Sequence, residues 1–153
     1  MTSTYQLLAK AERLELLAER LYEVLAGRFG GQAKELFQRL AREEAQHAAR
    51  IRLLAARYRQ DRKLVAGLSP DATLLDRLLL EAEEAVVAAG AGAWDGDPQA
   101  ALHAAAELER HFSQAHAQAL SQEAHPGMRA FFEQLAEQDR AHEELLEVDL
   151  PKA

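Results

Sequence analysis

The chain has 153 residues, of which 48% are hydrophobic, 6% aromatic and 28% charged, and it carries a formal net charge of −7. That length suits one domain with a substantial core, while the acidic balance argues against nucleic acid or an anionic membrane as a partner. The lack of cysteine excludes disulfides, thiolate metal sites and cysteine nucleophiles, and it fits a reducing, cytoplasmic setting.

Leu, Ala, Glu, Gln and Arg dominate the sequence. These are strong helix formers with few β-branched competitors, so an all-α fold is expected. Ser3 followed by Gln6 resembles a capping box and opens a helix to about Gly27. Its first stretch, MTSTYQLLAKAERLELLAER, is amphipathic and charged, unlike a signal peptide. GRFGG, residues 27–31, forms a turn, and a second helix covers about 32–60. Ser69-Pro70-Asp71 starts a shorter helix, about 70–90, that fades in the glycines of AAGAGA. Charges interrupt this apolar region before it reaches membrane-spanning length. Trp94 sits in the following loop, placed to cover a bundle end or an oligomer contact. Asp97-Pro98 opens a long helix to about Gln122, His125-Pro126-Gly127 breaks it, and a last helix reaches about Val148.

The expected architecture is therefore a single domain, 1–153, forming a four-helix bundle. Two antiparallel helix hairpins, 3–60 and 98–148, would be joined by a crossover, 61–97, that holds a short extra helix. Long bundles often bury a remaining apolar face, so a homo-oligomer, most simply a dimer, is expected.

One stripe of the second helix breaks the pattern of a plain bundle. Phe37, Leu40, Ala41, Glu44, His47, Ala48, Ile51 and Leu54 share a face through spacings of three and four. All are apolar except Glu44 and His47, and a buried carboxylate is costly without a partner. A single acid-xx-His pair is weak: with 25 acidic residues and 6 histidines, about one arises by chance, and a Glu–His hydrogen bond at a helix edge would explain it.

The pair recurs. Phe132, Leu135, Ala136, Asp139 and His142 repeat the offsets of Phe37, Leu40, Ala41, Glu44 and His47 one for one. The chain thus reads as two related hairpins. In an antiparallel hairpin, residues equidistant from the turn lie at equal height. Reflection through the first turn carries Glu44 onto Glu15, and reflection through the second carries Asp139 onto Glu109. Four carboxylates and two imidazoles at mid-bundle call for charge compensation, which a pair of divalent cations supplies. Oxygen and imidazole donors without thiolate suit iron or manganese better than a structural zinc.

LELLAERLYEVLA followed by LFQRLAREEAQHAARI resembles the first half of the rubrerythrin and ferritin-like superfamily. The marks are the spacing of Glu15, Ala18 and Tyr22 and the Glu44, His47 pair, and the likeness extends through the second hairpin. The resemblance implies a centre of two irons per chain, or of a manganese–iron pair. Glu15 and Glu109 would be terminal ligands, Glu44 and Asp139 bridges, and His47 and His142 the nitrogen ligands. Three departures stand out. Asp139 replaces the usual glutamate and is shorter by about 1.5 Å. Phe112 lies where rubrerythrins carry a glutamate that exchanges with histidine on redox change, and the four-cysteine module often attached to them is absent.

His116 holds the position in the second hairpin that Tyr22 holds in the first. Both are candidate hydrogen-bonding neighbours of the ligands, His116 alternatively an extra ligand, although a bundle-edge histidine is the plainer reading. His103 and His111 are expected in solvent, His125 in a turn, and Glu12, Glu19, Glu43 and Glu107 as exposed charges. The expected function is a di-iron oxidoreductase, a ferroxidase or peroxide scavenger whose partners are Fe(II), O2 or H2O2 and an unidentified electron donor. The alternatives are iron buffering or delivery with little turnover, and a metal-free helical interaction module.

Overall fold

The computed structural model describes residues 4–60, 72–118 and 126–148. They form five α-helices and, among the described residues, no strand: α1, Thr4–Arg28; α2, Gly31–Gln60; α3, Ala72–Gly90; α4, Pro98–Gln118; and α5, Pro126–Leu146. The proposed Ser3 cap, the Ser69-Pro70-Asp71 start and His125 lie outside the described residues, as do the crossover over 61–71, residues 119–122 and the end of the chain beyond Val148.

Where the ends of the helices are described, local chemistry accounts for them. Asp97 caps α4: its Oδ1 accepts the backbone N–H of Ala100 at 3.1 Å, and Pro98 takes the first helical position, where no N–H is needed. The first turn is tighter than GRFGG suggested. Gly27 remains helical, and only Phe29 and Gly30 separate α1 from α2. Gly31 enters α2 with φ 60°. Arg28, in the last turn of α1, donates to Asp95 Oδ2 at 3.0 Å and to the carbonyl of Gly90, favourable also for the helix dipole. One guanidinium thereby ties the end of α1 to the turn between α3 and α4. Trp94 of that turn is half-buried and packs against the core.

α1 packs chiefly on α2 and also on α3, α4 packs chiefly on α5, and α3 makes a smaller contact with α4. The core falls into two clusters. One gathers Leu14, Tyr22, Leu25, Phe37, Leu40, Leu102, Phe112 and Leu146, among others. The second comprises Leu8, Ala11, Ile51, Phe132 and Leu135. Along α1, α2 and α5 the change from one cluster to the other comes beside Glu15, at Glu44 with His47, and at Asp139 with His142. A polar layer therefore interrupts an apolar interior. No helix among the described residues is long and apolar enough to cross a membrane.

Gly92 adopts φ 84°, and a Cβ there would lie 2.6 Å from Asp95 Oδ2, the acceptor of Arg28. Gly92→Ala should therefore destabilise the fold by about 1–3 kcal/mol. Gly27 lies inside α1, and a methyl group added there would meet nothing within 4 Å, so Gly27→Ala should stabilise by about 0.5–1 kcal/mol. Denaturant midpoints of the two variants, moving in opposite directions, check both.

Candidate metal centre

Each acidic side chain of the polar layer comes from a different helix. Glu15 (α1), Glu44 (α2), Glu109 (α4) and Asp139 (α5) are all 0% exposed, and His47, His116 and His142 are buried beside them. Helical spacing dictates this: His47 follows Glu44, and His142 follows Asp139, by three residues, close to one turn. His116 follows Glu109 by seven, two turns along the same face.

Two overlapping groups of donors result. Glu15, Glu44, His47 and Asp139 offer ligand atoms within 4.8 Å of one another, and so do Glu44, Glu109, Asp139 and His142. Glu44 and Asp139 belong to both. The two oxygens of Glu44 face different imidazoles: Oε1 lies 2.9 Å from His142 Nδ1, and Oε2 lies 3.5 Å from His47 Nδ1. His47 Nδ1 is also 3.6 Å from Glu15 Oε2, and His142 Nδ1 is 3.3 Å from Glu109 Oε1. The two rings stack, with centroids 5.5 Å apart and planes 12° from parallel. The six residues singled out from the repeat and its reflection thus meet at one place.

Three further side chains complete the surroundings. Tyr22 donates its hydroxyl to Glu109 Oε1 at 2.6 Å. His116 is no bundle-edge residue: it is 2% exposed, with Nδ1 2.5 Å from Asp139 Oδ2 and Nε2 3.3 Å from Glu15 Oε1. Glu43 is no free surface charge either, because its Oε2 lies 3.0 Å from His142 Nε2. The heptad spacing from Glu109 signals the first placement. The second depends on how closely α5 approaches α2, which no spacing within α2 encodes. Glu12 meets Arg52 at 2.7 Å, and His111, half-buried, meets Glu81 at 2.8 Å, so neither is a lone solvated group. His103 is exposed as expected.

Proton affinities follow from this crowding. Burial, then the charges of Glu109 and Glu15, push the Glu44 carboxyl well above the usual carboxylate range. Burial also raises Glu15, but the approach of Glu44 and His47 and the charge of His116 outweigh it and hold Glu15 below its ordinary value. Burial raises Asp139 to about 7 against the opposing charge of His116. Burial disfavours a charged His116, yet Asp139, Glu15 and Glu109 together raise it to about 9. His142 is raised too, Glu109 and Glu43 prevailing over burial. Burial and the charges of Glu109 and Glu44 raise Tyr22 well above its ordinary value, which keeps the phenol a hydrogen-bond donor.

The donor set fits divalent cations. Both oxygens of Glu15, one each of Glu44, Glu109 and Asp139, and one ring nitrogen each of His47 and His116 are buried without a hydrogen-bond partner. Each such group costs about 1–3 kcal/mol, more when charged. Two divalent ions would satisfy these atoms, and the four carboxylates would balance the four positive charges.

Ions that bind here must displace protons from groups whose affinity for them is raised. Binding of Mn(II) should release protons at neutral pH, seen as buffer-dependent heats in calorimetry, and the affinity should rise from about pH 6 to about pH 9. Tyr22→Phe removes one donor from Glu109 without touching the other donors. It should weaken ion binding by about tenfold while the helical circular dichroism stays unchanged.

Comparison with curated proteins finds no match, and neither does comparison with solved structures. A family model does match, that of rubrerythrin, over residues 6–148, a span that takes in every residue of the centre; the chain belongs to the rubrerythrin family.

Proposed function

We propose that the chain is a single ferritin-like domain, two antiparallel hairpins joined through α3, that holds two irons and acts as an oxidoreductase on O2 or H2O2. Glu44 carries this reading. Its carboxylate is shared by two buried donor groups and turns one oxygen toward His142 and the other toward His47. A lone polar pair in a core has no need of that arrangement, whereas two neighbouring cations do.

In this reading Glu15 with His47 would hold one ion, Glu109 with His142 the other, and Glu44 and Asp139 would be shared between them. An iron pair supplies two electrons together to a small oxidant, which avoids one-electron radical release. The protein's part is to position and insulate. Glu43 stands 3.0 Å from the outer nitrogen of His142, whose Nδ1 faces Glu44 and Glu109. Tyr22 anchors Glu109. The apolar clusters on either side exclude water, which keeps the carboxylate charges strong. A cavity of about 130 Å³, lined by Arg39, Glu43, Gln46 and Arg50, opens onto His47 and His142, and provides a path for a small oxidant.

A second reading is iron buffering or delivery with slow chemistry. Phe112 favours it: a fully buried phenylalanine stands where rubrerythrins present their exchanging glutamate. Turnover separates the two. After anaerobic loading to two Fe(II) per chain, an oxidoreductase consumes many equivalents of O2 or H2O2 when a reductant is supplied. A buffer stops after one round and yields its iron to a chelator. Glu44→Ala should abolish turnover and lower iron stoichiometry while the circular dichroism remains helical. Full turnover in that variant would remove Glu44 from the centre.

A further inference from the structure

We infer that His116 is a metal ligand through Nε2, adding a donor beside Glu15 to those of the two groups above and making the two ion positions chemically different. The inference rests on the two-ion reading above. It starts from the two faces of one ring. Nδ1 is 2.5 Å from Asp139 Oδ2, while Nε2 is buried, has no hydrogen-bond partner and lies 3.3 Å from Glu15 Oε1, itself unpartnered. A metal-bound imidazole commonly shows this arrangement, one nitrogen donating to a carboxylate and the other turned to the ion.

The spacing agrees. Oxygen and nitrogen ligands stand about 2.0–2.2 Å from a first-row divalent ion, so two neighbours at right angles on one ion are about 3 Å apart. Glu15 Oε1 and His116 Nε2 already stand at nearly that separation. The short Asp139 side chain falls into place as well. Its Oδ2 is engaged by His116, and its unpartnered Oδ1 remains as the donor. Asp139 then offers one oxygen where Glu44 offers two. Glu15 stands beside two imidazoles, His47 at 3.6 Å and His116 at 3.3 Å, whereas Glu109 stands beside His142 alone, at 3.3 Å, and is anchored by Tyr22.

Counting ligated imidazoles tests this in the intact chain. With two Co(II) bound, each ligating histidine contributes one strongly shifted, solvent-exchangeable ring N–H signal in proton NMR. Three such signals are expected, falling to two in His116→Gln, with a loss of about tenfold or more in Co(II) affinity at one position only. Circular dichroism verifies that the variant is folded, and the wild-type count stands without it. Two signals in wild-type protein carrying two Co(II), unaltered in His116→Gln, would overturn the role of His116 and leave the two-ion reading intact. Failure to bind Co(II) at all would overturn both.

Discussion

Four carboxylates without solvent contact, one from each of four helices, set the terms for the rest of this molecule. Water no longer solvates them, and their mutual repulsion in a low-dielectric interior is strong. Everything around them offsets that cost. Three imidazoles stand beside them, a phenol donates to one, and raised proton affinities lower the charge that the layer must hold. The two apolar clusters supply the stabilisation that lets the layer exist, and by excluding water they keep its electrostatics strong.

The repeat within the sequence is close in its ligand frame and different in its surroundings. Tyr22 of α1 reaches Glu109 of α4, and His116 of α4 reaches back toward Glu15 of α1. The same two positions of the repeated sequence frame thus make reciprocal crossings with unlike chemistry. A phenol whose proton is firmly held can only anchor a carboxylate, whereas an imidazole can hold a proton or lend a lone pair. Asp139 belongs to the same asymmetry, since the shorter acid is the one that His116 engages.

Membership of the rubrerythrin family and the inward-turned donors agree on metal chemistry, and Phe112 bears on its kind. A buried phenylalanine offers no lone pair, so Phe112 could take no part in holding an ion there. The cavity lies on the side of the stacked imidazoles His47 and His142, with Glu43 and two arginines, Arg39 and Arg50, in its lining.

The helices, the broken apolar stripe and the six donor positions were legible in the sequence because each rests on local rules. Turn residues set the helix ends, the helical period sets the faces, and reflection through a turn sets the height. The burial of His116 was half legible, as its spacing from Glu109 shows the face but not the depth. What only the tertiary structure decided was how near the helices come and at what rotation. That brought Glu43 against His142, pressed Trp94 onto the core, narrowed the first turn to Phe29 and Gly30, and turned the two oxygens of Glu44 toward different rings. A linear chain encodes which residues share a face through its period, but the distance between two faces emerges only when all the side chains between them pack at once.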